Sequence, residues 1–267
     1  MSSSLVLIGA GRMGGAMARG WLAHPSGPAA GGVSIVEPAP SGDLIETAQA
    51  GRLLLNPKPQ PSSFVVLAVK PQGFSAACAD IARWVGPGSV VISIMAGVPM
   101  ERISTALGVA RVARAMPNTP GAIGKGVTGY CRSEAVGAEH QAAIEALLAP
   151  LGEVVGPLDE HLIDVVTAIS GSGPAYVFLL AEALAAAGMR NGLDESTARV
   201  LARATVSGAG ALLESGEDPA ALRRAVTSPG GTTAAALSIL MGAGGLEALM
   251  EAAVSAAIAR SRELASS

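Results

Sequence analysis

The chain is poor in the residues that usually carry polar chemistry. Of 267 residues, two are cysteines, Cys78 and Cys131, and three are histidines, His24, His140 and His161. Two cysteines supply neither a disulfide framework nor a thiolate metal set, and the histidines show no metal spacing, so no metal is expected. Aromatic residues make up 3% of the chain, which leaves Ala, Val, Leu and Ile to build the core. The lysines are Lys58, Lys70 and Lys125, and none lies beyond them, which removes a Schiff-base lysine from the second half. There is no basic block, and a net charge of −3 with a pI near 5.7 argues against a nucleic-acid partner. The opening Met-Ser-Ser-Ser lacks the basic segment of a secretory signal. The longest charge-free stretch, residues 225–246, contains Ser-Pro-Gly-Gly-Thr-Thr and Gly-Ala-Gly-Gly, which would interrupt a membrane helix. A cytoplasmic protein with no membrane partner is the expectation.

What is present is an alternating pattern, then a change. The spacing predicts strands at 5–9, 33–37, 63–69, 89–94, 110–115, 127–132 and 153–155. Helices are expected between them, at 13–22, 42–50, 74–84, 99–107 and 138–148. Strand–helix alternation of this kind indicates a mostly parallel, doubly wound α/β sheet. From about Leu158 the strand signal stops. Helices are expected at 161–187, 195–214, 219–226, 233–241 and 246–264, with Gly188 and Asn191-Gly192 as punctuation between the first two. The reading is therefore two domains, a Rossmann-type nucleotide domain at 1–157 and an all-helical domain at 158–267.

The first strand leads into Gly9-Ala10-Gly11-Arg12-Met13-Gly14 and then a helix pattern. This is the dinucleotide fingerprint in its strand–turn–helix setting. Gly9 permits the tight turn, Gly11 lets the backbone approach a pyrophosphate, and Gly14 lets the helix pack on the strand. Arg12 and Met13 open that helix. Glu37 closes the second strand, where an acidic side chain accepts hydrogen bonds from an adenosine ribose and repels a 2′-phosphate. It favours NADH over NADPH. Ala68 and Val69 close the third strand and Lys70 and Pro71 follow it; Ala96 and Gly97 follow the fourth, and Pro117 and Asn118 the fifth. In an open α/β sheet, strand ends of this kind hold the cofactor.

A second signal lies far along the chain, at Thr227-Ser228-Pro229-Gly230-Gly231-Thr232-Thr233. A turn followed by hydroxyl side chains and an apolar run reads as an exposed helix start. Its first N–H groups lack intrahelical acceptors and carry the positive end of the helix dipole, so it can hold a carboxylate beside a hydroxyl. A third feature concerns assembly. No charged residue lies between Asp164 and Glu182. A helix apolar nearly all round must be buried, which about 110 residues cannot arrange alone. An intertwined homodimer, or a higher homo-oligomer, is expected through the C-terminal helices.

With both halves read, the chain resembles the pyrroline-5-carboxylate reductase family over nearly its whole length. The resemblance rests on Gly9–Gly14, then Leu67-Ala68-Val69-Lys70-Pro71-Gln72, Ser93-Ile94-Met95-Ala96-Gly97-Val98 and Arg114-Ala115-Met116-Pro117-Asn118-Thr119-Pro120. It continues in Ser170-Gly171-Ser172-Gly173-Pro174-Ala175-Tyr176 and Thr227–Thr233. Arg12 and Arg224 depart from the asparagine and the acidic residue expected there. The resemblance implies hydride transfer from NADPH or NADH to the small cyclic imine pyrroline-5-carboxylate. It also implies a substrate carboxylate held at Ser228, Gly230, Gly231 and Thr232, Thr233 as the hydroxyl facing the imine nitrogen, and Asn56 near the adenosine. A β-hydroxyacid dehydrogenase is the nearest rival, but its catalytic lysine on a helix after the nucleotide domain has no counterpart here. A non-catalytic NAD(P)-binding regulator is a second alternative, less favoured by the intact 228–233 turn.

Overall fold

Successive residues of a strand face opposite sides of a sheet. In β1 (Leu5–Ile8) both sides are apolar and all four residues are buried, so the strand must be covered on both faces. The computed structural model, which describes residues 4–265, shows how. Leu5 and Leu7 join one core with Ala16, Met17 and Trp21, while Val6 and Ile8 join another with Phe74, Ile81 and Ile103. β4 (Ser62–Leu67) divides the same way: Phe64 and Val66 face the first core, Val65 and Leu67 the second.

The elements of this region follow in order after β1. They are α1 (Arg12–Ala23), β2 (Val33–Val36), α2 (Gly42–Gln49), β3 (Leu54–Leu55), β4, α3 (Phe74–Ala82), β5 (Val85–Ser93) and α4 (Met100–Leu107). Then come β6 (Val112–Met116), β7 (Gly126–Arg132), α5 (Ala138–Leu148) and β8 (Gly152–Leu158). The strands form one sheet in the order β3-β2-β1-β4-β5-β6-β7-β8. Every neighbouring pair is parallel except β6 with β7. The chain order reverses between β1 and β4, so a crevice opens at the carboxyl ends there. Trp21 Nε1 donates to the Leu147 carbonyl at 2.8 Å, tying α1 to α5 on one face. The two-residue β3 is absent from the sequence reading because so short a run carries no periodicity.

The helical region contains α6 (Ile163–Val166), α7 (Gly173–Arg190), α8 (Glu195–Leu213), α9 (Pro219–Ala225), α10 (Thr232–Leu240) and α11 (Leu246–Ala265). The single helix expected at 161–187 is in fact broken. A 3₁₀ turn at Glu160–Leu162 leads into α6, and a π turn, Thr167–Gly171, separates α6 from α7. Gly188 does not end α7, which runs on to Arg190. The glycine instead admits Leu193 and Ala198 close to the helix backbone.

The chain gathers into two compact units. One runs to Gly171 and takes in the chain from Ala257 on; the other is Ser172–Ala256. The sequence pattern changes at Leu158, the last residue of β8, yet the turns after it still belong with the sheet. A buried ion network shows why. Arg114 of β6 is 5% exposed and lies 3.6 Å from Glu160 and 3.9 Å from Asp164. Glu160 Oε1 accepts the Met100 N–H at the start of α4, at 2.8 Å. Asp164 Oδ1 accepts the Ser261 hydroxyl of α11 at 2.7 Å, and Arg262 approaches Asp164 Oδ2 at 3.9 Å.

The unit Ser172–Ala256 has almost no interior of its own. Its buried hydrophobic side chains are, among the described residues, Ala185, Ala198 and Ala202. Phe178 and Leu179 of α7 are 62% and 63% exposed, and Leu201 and Leu212 of α8 are similarly open. Burial of the apolar helices, expected from the sequence, is not achieved within one chain. The run Glu160–Arg190 is long and apolar enough to cross a membrane by length and composition alone.

Candidate cofactor site and substrate turn

The sheet brings the first group of candidate residues to one edge. Gly9 follows β1, Glu37 follows β2, Asn56 follows β3 and Ala68 follows β4, and Ala96-Gly97 and Pro117-Asn118 follow β5 and β6. These six strands are mutually parallel, so all their carboxyl ends share that edge.

The fingerprint turn is defined by close approach. Gly9 has φ +94°, and a Cβ there would lie 2.7 Å from the Ala68 carbonyl oxygen. A Cβ on Gly14 would collide with the Gly9 carbonyl oxygen. Both neighbours are backbone and cannot turn aside. Gly11 is different: nothing lies within 4 Å of its Cβ position, and the space faces the exposed start of α1. No side chain caps that start among the described residues. Open N–H groups at a helix N-terminus, reached over a glycine, are what a pyrophosphate needs.

Glu37 organises the turn as well as standing beside it. Its Oε2 accepts the Ala10 N–H at 2.7 Å, and its Oε1 accepts the Ala39 N–H at 3.0 Å. Asn56 holds Glu37 in turn. Glu37 N–H donates to Asn56 Oδ1, and Asn56 Nδ2 donates to the Glu37 carbonyl, both at 2.9 Å. Asn56 has φ +48°, a left-handed conformation that asparagine tolerates better than most residues. A carboxylate that accepts two backbone N–H groups still has lone pairs for the hydroxyls of a ribose.

These residues open onto a cavity of about 590 Å³. Gly9, Glu37, Asn56, Val69 and Lys70 line one side, in keeping with the sequence pattern. Ala77, Asp80, Ile81 and Trp84, on and just beyond α3, line another, and the sequence reading does not single them out. Their i, i+3, i+4, i+7 spacing is the available signal, but it reads equally as a core face, and Ile81 and Trp84 are indeed buried.

Toward β5 and β6 the edge is more closed. Gly97 and Pro117 are buried, and Asn118 is 9% exposed. Both ends of the Asn118 carboxamide are engaged inside the protein. Nδ2 donates to the Ser170 carbonyl at 3.1 Å, and Oδ1 accepts the Val127 N–H at 2.9 Å.

The second candidate group lies in the other unit and is described by itself. α10 starts at Thr232 with Gly231 as its cap residue, and no side chain caps it among the described residues. Its first N–H groups are therefore open. Ser228 and Gly230 are exposed and Thr233 is half-buried. The Gly231 N–H is already donated to the Ser228 carbonyl at 3.1 Å, closing the turn. A Cβ on Gly231 would displace the Ser228 hydroxyl from its present position and lie 3.2 Å from the Ser228 carbonyl oxygen.

A parallel sheet with this strand order, a fingerprint turn at its switch point and an acidic residue closing β2 define a nicotinamide-dinucleotide-binding oxidoreductase. Comparison with known proteins narrows the class. Residues 160–264 match the family model for pyrroline-5-carboxylate reductase dimerisation, and residues 4–97 match the model described as NADP oxidoreductase, coenzyme F420-dependent. The chain is 45% identical over 203 residues to the pyrroline-5-carboxylate reductase of Pseudomonas aeruginosa, spanning 75% of this chain and 74% of that one. It is 43% identical over 204 residues to the Synechocystis enzyme of the same name, over 76% and 75% of the two chains. A pyrroline-5-carboxylate reductase structure from Coxiella burnetii superposes with a TM-score of 0.88 at 33% identity, covering 99% of each chain. This chain belongs to the pyrroline-5-carboxylate reductase family. The dimerisation match covers α7 and α8, whose apolar faces one chain leaves open.

The fingerprint geometry gives a direct test. Gly14→Ala should weaken NADH and NADPH binding at least about tenfold, roughly 1.4 kcal/mol, because α1 must move off β1 to admit the methyl group. Fluorescence titration reads the dissociation constants; unchanged values would show that the close approach at Gly14 is not required.

Proposed function

We propose that this chain reduces 1-pyrroline-5-carboxylate to L-proline, the last step of proline biosynthesis. The observation that carries the reading is that one chain holds both the dinucleotide edge and the uncapped helix start at Gly231-Thr232. A nicotinamide cofactor held here would supply the hydride for the imine carbon, and the protonated ring nitrogen would become the amine of the product. The residues at hand suit the group. Gly11 leaves room for the pyrophosphate, Arg12 and Met13 open the helix that receives it, and Glu37 accepts from the ribose. Asn56 acts through Glu37. Ala68, Val69, Lys70 and Pro71 form the wall beside Gly9, while Ala96, Gly97, Pro117 and the Asn118 backbone border the nicotinamide.

On the substrate side, the Gly230 and Thr232 N–H groups and the Ser228 hydroxyl bind the carboxylate. Gly231 serves by leaving their approach open. The Thr233 hydroxyl donates to the imine nitrogen, which makes the adjacent carbon a better hydride acceptor. A spectrophotometric assay of NADH and NADPH oxidation with pyrroline-5-carboxylate tests the whole reading; no turnover with either cofactor would overturn it. Thr233→Ala should lower kcat/KM by roughly 10- to 100-fold, about 1.4–2.7 kcal/mol, as for one lost donor to a polar transition state. Cofactor affinity should barely change. Unaltered kcat/KM would leave Thr233 with no part in the chemistry.

The finer cofactor preference is set by Glu37. An acidic side chain at the end of β2 would accept from a ribose and repel a 2′-phosphate, so NADH is expected to serve at least as well as NADPH. A tenfold advantage in kcat/KM for NADPH, about 1.4 kcal/mol in the opposite direction, would defeat this. Glu37→Ser should shift the ratio toward NADPH while weakening both cofactors, because the Ala10 N–H loses its acceptor.

The working form is a homodimer whose helices share one interior. The exposed faces of α7 and α8 around a core of three alanines support it. Light scattering at micromolar concentration should return at least twice the chain mass. A stable, active monomer would rule the shared interior out.

A further inference from the structure

Pro174 removes a donor from the helical run in which it lies. In an α-helix the carbonyl of residue 170 accepts the N–H of residue 174, and proline has none. The chain departs from α geometry at that place: Thr167–Gly171 forms the π turn, and α7 starts only at Gly173. The Ser170 carbonyl takes a hydrogen bond from outside the run instead, from Asn118 Nδ2 at 3.1 Å. Asn118 Oδ1 accepts the Val127 N–H at 2.9 Å. One buried carboxamide thus joins the loop after β6, the start of β7 and the π turn. Its orientation is fixed by chemistry, since Oδ1 faces an N–H and Nδ2 faces a carbonyl, and a flip would oppose like groups at both ends. β7 admits the α6 side of this junction closely: a Cβ on Gly129 would lie 2.7 Å from Val166 Cγ1.

We propose that Asn118 is a positioning residue for hydride transfer. Its carboxamide sets the Met116–Thr119 loop against the Ser170–Gly171 backbone and holds open the break that Pro174 creates. The proposal rests on the reading of Pro117 and the Asn118 backbone as a border of the nicotinamide. π turns occur often at functional sites, and a small misplacement of reacting groups has a large effect on rate. The side chain therefore acts on the chemical step and not on cofactor affinity.

Asn118→Asp tests this with little change of shape. Ionised, the new carboxylate sets an oxygen against the Ser170 carbonyl; protonated, it regains an O–H donor for that carbonyl. Burial and the facing Ser170 carbonyl push the new carboxyl well above its ordinary value of about 3.9. The ratio of variant to wild-type kcat should therefore rise by about tenfold as pH falls from about 8.5 to about 5.5 and the carboxyl gains its proton. Asn118→Ala should lower kcat by roughly 10- to 100-fold at every pH, with the NADH and NADPH dissociation constants held within about twofold. A ratio near one at every pH for Asn118→Asp overturns the proposal. So does a tenfold rise in the cofactor dissociation constants at unchanged saturating kcat, which would make the side chain a cofactor ligand. If Asn118→Ala does not fold, the pH series on Asn118→Asp decides alone. Wild-type turnover of pyrroline-5-carboxylate is measured first: its absence defeats the proposed function, whereas turnover with a ratio near one defeats only the positioning role.

Discussion

The site depends on one steric constraint, the contact of α1 with the ends of β1 and β4. Gly14 lies so near the Gly9 carbonyl, and Gly9 so near the Ala68 carbonyl, that neither position admits a Cβ. The three backbones can meet only because two side chains are missing. That contact fixes where α1 points, and with it the open N–H groups at Arg12 and Met13. It also fixes Ala10, whose N–H then reaches Glu37, and Glu37 is held in turn by Asn56. Three adjacent strand ends become one rigid lip of a cavity. Rigidity matters at this place because a cofactor anchored at its pyrophosphate carries any error in that anchor to its reactive end.

Most of the sheet was legible in the sequence because parallel strands are buried on both faces and read as continuous apolar runs. Val65-Val66-Leu67 of β4 and Val90-Val91-Ile92 of β5 are such stretches. The carboxyl-edge residues were legible for the same reason: once a strand is placed, so is the residue just after it. The missing features are those where the signal is ambiguous or non-local. The α3 wall, with Ala77, Ile81 and Trp84, has the spacing of a core face and is partly one. The π turn hides inside a helical pattern, although Pro174 marks it to anyone who counts back four residues. The partner that answers Pro174, Asn118, lies 52 positions away from the Ser170 carbonyl, and no local rule reaches that far.

The helical half poses a different problem. From α8 onward its residues satisfied the local rules for helices, and helices formed within a residue or two of the expected bounds. The step from apolar helix to buried helix is not completed within a single chain, as the lack of charge between Asp164 and Glu182 leads one to expect. An interior made of Ala185, Ala198 and Ala202 buries little area. At about 25 cal/mol per Å² it contributes little against the ordering of some 85 residues. The exposed Phe178, Leu179, Leu201 and Leu212 hold the missing area, and association is the way to recover it. If the proposed shared interior holds, folding of this half and assembly are one equilibrium, dependent on chain concentration.

The poverty of the sequence in lysine and histidine fits the reaction. A proton-transfer enzyme needs a side chain whose pKa lies near the working pH. Reduction of an imine asks for less. The bond that matters forms by hydride transfer to carbon, and the ring nitrogen readily takes up its proton. The protein has to hold a carboxylate, place a donor near nitrogen and fix the distance to the hydride. In the proposed reading, backbone N–H groups at a helix start and one threonine hydroxyl meet the first two needs. None of them changes charge near neutral pH, so the protein part of such a site should hold its geometry across a wide pH range. Asn118 belongs to that design: a neutral donor and acceptor in one rigid group, able to join a loop, a strand and an interrupted helix without bringing a charge into the interior.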